Sequence, residues 1–228
     1  MDCVLEVKTM NEKLIAFTFD DAPTYEDLGD NPTTVIMDVL NHFGGKGTFF
    51  IIGKRLRSNG RKLVDKMVEY GFEIANHTDT HAKLTELSED EIKTEIMALQ
   101  ETVINEFGSE MKYFRPAGVN VDAKVYSVTS QLNMTVIFGS HGDANLIDWN
   151  LQTTPEYIKK HCLDNAYPGQ IILMHGYSKG TAAVFNEICE TLAKDGYRFV
   201  TLSELFEAYD VKELPCNRPI IDAQLTEI

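Results

Sequence analysis

The sequence predicts an α/β fold: a distorted (β/α) barrel with about seven parallel strands. Three observations carry that expectation. Short β-rich runs alternate with amphipathic helical stretches along the 228 residues. The runs are continuously apolar, as strands buried on both faces are. No linker, repeat or low-complexity tract divides the chain, so residues 1–228 read as a single domain. An open doubly wound sheet ranks second. It is weakened because neither G-x-G-x-x-G nor G-x-x-x-x-G-K-[ST] follows any strand.

The first strand is "LIAFTF" (14–19), which runs into "DDAP" and then the loop "TYEDLGDNPT" (24–33) over the top of the sheet. A helix, "TTVIMDVLNHF" (33–43), leads to the strand "KGTFFII" (46–52), and the helix "RKLVDKMVEYG" (61–71) stops at Gly71. The strand "FEIANH" (72–77) precedes a long helix (88–108) opened by a Ser88–Glu91 capping box and stopped by Gly108. "MKYFRP" (111–116) and "MTVIFG" (134–139) are strands flanking the helix "DAKVYSVTSQLN" (122–133). In "TPEYIKKHCLDN" (154–165), Thr154 is the N-cap and Pro155 the first helical residue. "QIILMH" (170–175), a helix over 181–196 closed by Gly196, and "YRFVTL" (197–202) complete the series.

Composition excludes several classes. The formal charge of −14 argues against non-specific binding to nucleic acid or anionic membranes. No apolar run reaches the length of about eighteen residues that a membrane-spanning helix needs. The basic stretch "KRLRSNGRK" (54–62) reads as a solvated helix face. No basic segment followed by an apolar stretch and a cleavage site opens the chain. A cytoplasmic location is therefore expected, or an extracellular or cell-wall one if the chain is a trimmed mature form. Cys3, Cys162, Cys189 and Cys216 form no C-x-x-C pair. Cys162 and Cys189 fall in helical patterns as buried thiols, while Cys3 and Cys216 lie near the termini, where they could meet. Nothing in the sequence sets the oligomeric state.

In parallel α/β folds chemistry collects at the carboxyl ends of the strands. Asp20 and Asp21 end the first strand, His77 and His81 in "HTDTH" end the third, and Arg115 ends the fourth. Asp148 and Trp149 follow the fifth, and His175 ends the sixth. Adjacent residues of a strand point to opposite faces, and neighbouring carboxylates raise each other's cost of ionisation. Asp-Asp-x-Pro is a good turn sequence in its own right, and the sharper alternative is a nearby cation whose other ligands the rest of the chain supplies. The four-residue spacing of His77 and His81 suits one face of a helical turn. Two imidazoles and one carboxylate make a three-ligand site for a borderline metal, with positions open for water and substrate.

With those residues assembled, the chain resembles the polysaccharide deacetylases of carbohydrate esterase family four, the NodB-like homology domain, from about Leu14 to Leu205. "TFDDAP" is similar to that family's Thr-Phe-Asp-Asp-Gly-Pro, "HTDTH" to His-Ser/Thr-x-x-His, and "LMH" to Leu-x-His. "FRPAG" and "NLIDW" match its third and fourth motifs in degraded form. The resemblance implies a metal-dependent hydrolase that removes acetyl groups from an amino-sugar polymer or oligomer of the chitin or peptidoglycan type. O-acetyl xylan esterase activity and a non-catalytic carbohydrate-binding descendant are the alternatives. It also implies roles: Asp20 as general base; Asp21, His77 and His81 as metal ligands; His175 as general acid tuned by Asp148; and Arg115 holding Asp20. Trp149 and Leu173 would line the pocket for the acetyl methyl, and the Gly118 backbone N–H would face the oxyanion. The metal implied by the ligand set is zinc, with cobalt or nickel also compatible.

Four positions depart from the family pattern. Ala22 stands where Gly is usual, Gly118 where Tyr is usual, Asn145 where the first acid of the fourth motif is usual, and Gly176 where Asp is common. None is a proposed ligand, acid or base, so the departures bear on substrate range.

Overall fold

The computed structural model describes residues 12–24, 31–139 and 147–225. Its strands are β1 Lys13–Ala22, β2 Thr48–Ile51, β3 Glu73–Asn76, β4 Tyr113–Phe114, β5 Thr135–Val136, β6 Gln170–His175 and β7 Tyr197–Phe199. Every strand pair is parallel. The helices are α1 Pro32–His42, α2 Gly53–Arg55, α3 Arg61–Glu69, α4 Glu89–Phe107, α5 Ala123–Gln131, α6 Pro155–Asp164, α7 Lys179–Lys194 and α8 Leu202–Ala208. A π-helical turn, Leu56–Gly60, joins α2 to α3.

Strand order runs β5-β4-β3-β2-β1-β6, with β7 also on β1. Strands β1 to β5 follow one another across the sheet, and β6 returns to the other edge of β1, as closing a barrel requires. Ile15 pairs with both Gln170 and Phe199, which places β7 on the edge of β1 that β2 occupies further along. The gap between β5 and β6 is spanned by the C-terminal segment. Ile220 bridges to Ile137 and Asp222 to Gln170. The barrel is thus closed by chain that carries no strand signal of its own.

β1 is buried along nearly its whole length, and its side chains sort by parity. Ile15, Phe17 and Phe19 face the helices and pack with Phe49 and Phe185. Each fully buried Phe contributes about 2 kcal/mol. Leu14 and Ala16 face the barrel interior with Phe50, Ala75, Tyr113 and Ile171. Thr18 and Asp20 continue that interior face toward the mouth. The two core layers therefore hold β1 rigidly and aim Asp20 inward.

Gly71, Gly108 and Gly196 all follow helices with positive φ, as expected of helix stops. The reading of 197–202 as one strand is corrected: β7 ends at Phe199, and Thr201 caps α8 through a capping box with Glu204. The described helices include none long and apolar enough to cross a membrane. Cys162 and Cys189 are buried, as expected. Cys3, Asn145 and residues 25–30 of the loop after β1 lie outside the described residues.

Candidate functional site

The end of β1 breaks the alternation rule. Pairing with β2 is regular at Phe19↔Phe49 but shifts before Ala22↔Ile51, and Asp21 within that irregularity has φ 64°. A bulge of this kind re-aims one side chain. Both carboxylates consequently serve the same mouth. Ala22 is buried without a left-handed backbone, so the methyl it adds is accommodated.

The histidine loop is also irregular, which corrects the helical-turn expectation. His77 follows β3 directly, and residues 77–81 are not helical. Thr78 (φ 68°) and His81 (φ 66°) are left-handed. For a β-branched residue that conformation costs about 1–3 kcal/mol and persists only when over-determined. Here Thr78 N donates to Asn76 Oδ1 at 2.9 Å, and its hydroxyl accepts from His81 N at 2.9 Å. Its carbonyl accepts from Gly53 N at 3.1 Å. Glu95 of α4 holds Thr80 through both backbone and hydroxyl.

These loops bring Asp21, His77 and His81 together, with one ligand atom from each within 4.8 Å of the others. His77 Nδ1 donates to the Arg115 carbonyl at 2.6 Å, which leaves Nε2 as a lone pair in the neutral ring. That nitrogen lies 3.6 Å from Asp21 Oδ1, and His81 Nε2 lies 3.2 Å from the same oxygen. Asp21 Oδ1 is buried without a hydrogen-bond partner. The buried Asp21 oxygen and His77 lone pair facing one another are costly unless a cation joins them, and His81 reaches the same point from the exposed side. A tetrahedral ion with bonds of about 2.0–2.1 Å holds its ligand atoms about 3.3 Å apart, close to these spacings. Burial holds His77 below the ordinary imidazole value against the pull of Asp20 and Asp21, and the neutral ring is the ligating form. The donor set fits a divalent metal.

Asp20 sits beside this set under different control. Arg115, fully buried, donates from Nη1 to Asp20 Oδ1 at 2.7 Å and to Thr18 Oγ1 at 3.0 Å. Nε and Nη2 reach the carbonyls of Ile137 and Phe138 at 3.0 Å each, and the guanidinium lies over the Phe50 ring at 4.1 Å. With its donors so engaged, the buried charge is tolerated. Burial pushes the Asp20 carboxyl up, but Arg115, then His77 and His175, outweigh it and hold it below 3.8.

His175 faces Asp20 across the β1–β6 pair, where the two are register partners. Asp148 Oδ1 accepts from His175 Nδ1 at 2.7 Å, and its Oδ2 accepts from His175 N at 2.9 Å and Thr181 Oγ1 at 2.7 Å. The ring is thereby oriented through Nδ1, with Nε2 on its far side from Asp148. Burial pushes this imidazole down, yet the hydrogen bond and charge of Asp148 hold it above 6.5. The site thus pairs a carboxylate whose ionised form Arg115 favours with an imidazole whose protonated form Asp148 favours.

The remaining residues are placed less tightly. Leu173 is half-buried and pairs with Thr18, two residues before His175 on the same face of β6. Trp149, next to Asp148 in the chain, is 55% exposed, so its indole is open to solvent. Gly118 is exposed with φ 63°, a conformation that a Tyr would adopt only with strain. The expectation that "KRLRSNGRK" is a solvated face holds for Lys54, Arg57, Arg61 and Lys62, which are exposed, but not for Arg55, which is half-buried and donates to the Asp21 carbonyl. Arg57 pairs with Asp79 between the two histidines. The missed signal was position: the stretch begins one residue past "KGTFFII", at a strand's carboxyl end. Thr18 and Thr181, which support Arg115 and Asp148, carried no sequence signal.

A sequence profile of the polysaccharide deacetylase family matches residues 7–137. The chain belongs to the polysaccharide deacetylase family. It is 34% identical over 201 residues to a peptidoglycan-N-acetylglucosamine deacetylase of Bacillus cereus, covering 86% of this chain and 89% of that protein. It is equally 34% identical to a bifunctional xylanase/deacetylase of Pseudobutyrivibrio xylanivorans over 87% of this chain, but spans only 31% of that longer protein. Among solved structures, it superposes on the Xyl-CE4 domain of a multidomain xylanase from the hindgut metagenome of Trinervitermes trinervoides. The TM-score is 0.85 at 32% identity, over 95% of this chain and 100% of that one. A family 4 acetyl xylan esterase from Clostridium thermocellum in complex with a cobalt ion gives a TM-score of 0.79 at 27% identity, over 92% and 98% of the two chains. The family uses a divalent metal, and Asp21, His77 and His81 are the residues here that could hold one.

Proposed function

We propose that this protein hydrolyses N-acetyl groups of an amino-sugar polymer or oligomer, of the chitin or peptidoglycan type, with zinc held by Asp21, His77 and His81. The observation that supports the reading is the pairing of Asp20 with His175 across β1 and β6, the first held by Arg115 and the second by Asp148. Bound metal supplies Lewis acidity that polarises a carbonyl and acidifies water. Asp20 is oriented through Oδ1 by Arg115, so its Oδ2 takes the proton of the attacking water. His175, oriented through Nδ1 by Asp148, delivers a proton from Nε2 to the leaving nitrogen. An amide needs that proton, since an amine anion does not leave. In this reading Trp149 and Leu173 line the pocket for the acetyl methyl, and the backbone N–H of Gly118, in the segment after β4, supports the developing oxyanion.

A second reading, O-deacetylation of xylan, is favoured by the likeness to the xylanase-derived Xyl-CE4 domain. An ester leaves more readily and depends less on His175. The test is acetate release from chito-oligosaccharides, peptidoglycan fragments and acetylated xylan, before and after chelation and zinc add-back. Release from the amino-sugar substrates that is lost on chelation and restored by zinc is expected. Release from xylan alone selects the second reading, and saccharide binding without release from any substrate refutes both.

A further inference from the structure

The segment from Ile52 to Arg57 lies between the two loops that carry the metal ligands and is stitched to both. Ile52 N donates to Ala22 O at 2.8 Å, Gly53 N to Thr78 O at 3.1 Å, and Lys54 N to Asp79 O at 2.7 Å. Packing is close enough that a Cβ on Gly53 would come within 2.1 Å of Asp79 Oδ1. Two arginines reinforce the stitching from opposite sides. Arg55, its side chain only 20% exposed, donates to the backbone carbonyl of left-handed Asp21 and sets Nη2 3.9 Å from Asp21 Oδ2. Arg57 grips Asp79 with two parallel 2.6 Å bonds, midway between His77 and His81.

We infer that Arg55 and Arg57 are positioning residues that set the affinity and coordination geometry of the Asp21–His77–His81 site. Arg55 locks the backbone that aims Asp21, and Arg57 locks the loop that spaces the two imidazoles. The inference rests on the metal reading above. Left-handed Asp21, Thr78 and His81 relax to commoner conformations unless held, and these two guanidiniums, with the Gly53 and Lys54 amides, join Asn76, the Thr78 hydroxyl and Glu95 in holding them. A purely electrostatic role for Arg55 makes the opposite forecast, because a cation near a metal weakens binding and its removal would tighten it.

The experiment titrates the metal-free full chain with cobalt(II), read by visible absorption, and with zinc, read by competition with a chromophoric chelator. Wild type, Arg55→Ala, Arg55→Lys, Arg57→Ala and Arg57→Lys are compared, with thermal melts of the metal-free forms. The alanine variants are expected to bind about 10- to 100-fold more weakly, with an altered cobalt spectrum and a nearly unchanged melting temperature. Lys at 55 restores part of the affinity, since one donor suffices at a carbonyl. Lys at 57 restores little, since the bidentate grip is lost. If an alanine variant fails to fold, its lysine counterpart decides by the same readouts. Wild-type affinity and spectrum in the variants, or tighter binding by Arg55→Ala, overturns the inference alone. Failure of wild type to bind either metal overturns the metal reading and this inference with it.

Discussion

Both ends of the barrel bury carboxylates, and they manage the charge in opposite ways. At the amino-terminal end, Glu73 accepts from Thr48 Oγ1 at 2.8 Å, Ser203 Oγ at 2.5 Å and Ser203 N at 3.3 Å. Thr48 Oγ1 in turn accepts from Leu202 N, which ties the network into the first turn of α8. Burial pushes the Glu73 carboxyl up, and its hydroxyl and amide partners only partly offset this. Thr48, Glu73 and Ser203 all keep ordinary backbone angles. At the mouth, Asp20 depends on a buried guanidinium, Asp21 keeps an oxygen without a donor, and three site residues are left-handed. The network at the base is complete within the chain and serves stability. The network at the mouth leaves an Asp21 oxygen without a donor beside two imidazole nitrogens, a set that could hold a cation.

Four substitutions break or sharpen that contrast. The largest effect belongs to His77→Ala, which removes a ligand from the mouth. Bound metal should disappear by elemental analysis, and turnover should fall on the order of 10³-fold or more. A His77→Ala protein that still holds stoichiometric metal would remove the contrast altogether. Next is Asp20→Asn, expected to lower kcat by on the order of 10²–10⁴ while the metal is retained. Near-normal kcat there would show that the base lies elsewhere.

Asp148→Asn should act through His175 and therefore through pH. Asp148 holds the imidazole above 6.5, so the protonated acid persists to higher pH in the wild type. Removing the charge moves the alkaline limb of the kcat/KM profile to lower pH, while the acid limb stays in place. The same sign governs stability. The pair's contribution is full below pH 6.5 and is lost as pH rises through the raised folded value. An unmoved alkaline limb would assign it to another group. Smallest in activity, Glu73→Gln should leave turnover and metal content unchanged and cost about 1–3 kcal/mol by denaturant unfolding, because an amide donor then faces donors. Loss of activity without loss of stability would contradict the division between base and mouth.

Much of the site was legible from residue type and place in the alternation of strands and helices. Asp20, Asp21, His77, Arg115 and His175 each stand at the carboxyl end of an apolar run, and a parallel barrel gathers such ends. Less legible was anything that depends on side-chain direction. Strict parity sends Asp21 away from Asp20, and only the irregular pairing with β2 returns it. The spacing of His77 and His81 is common to a helical turn and to this left-handed loop, so spacing could not separate them. "KRLRSNGRK" was judged by charge alone, whereas the short helix and π-helical turn it forms decide which arginine meets a ligand loop. The Thr201–Glu204 capping box was readable as a helix start but was masked by the apolar run before it.

Hydrophobic patterning by itself determined the strand count, the parallel sheet and the end of the barrel where reactive side chains collect, because these follow from burying apolar runs on both faces. Tertiary structure alone decided that two neighbouring acids share one mouth, that a C-terminal segment without strand character closes the barrel, and that two arginines brace the ligand loops. Those outcomes rest on bulges, left-handed residues and contacts between segments far apart in the chain. Such terms are small beside core burial, and no local pattern encodes them.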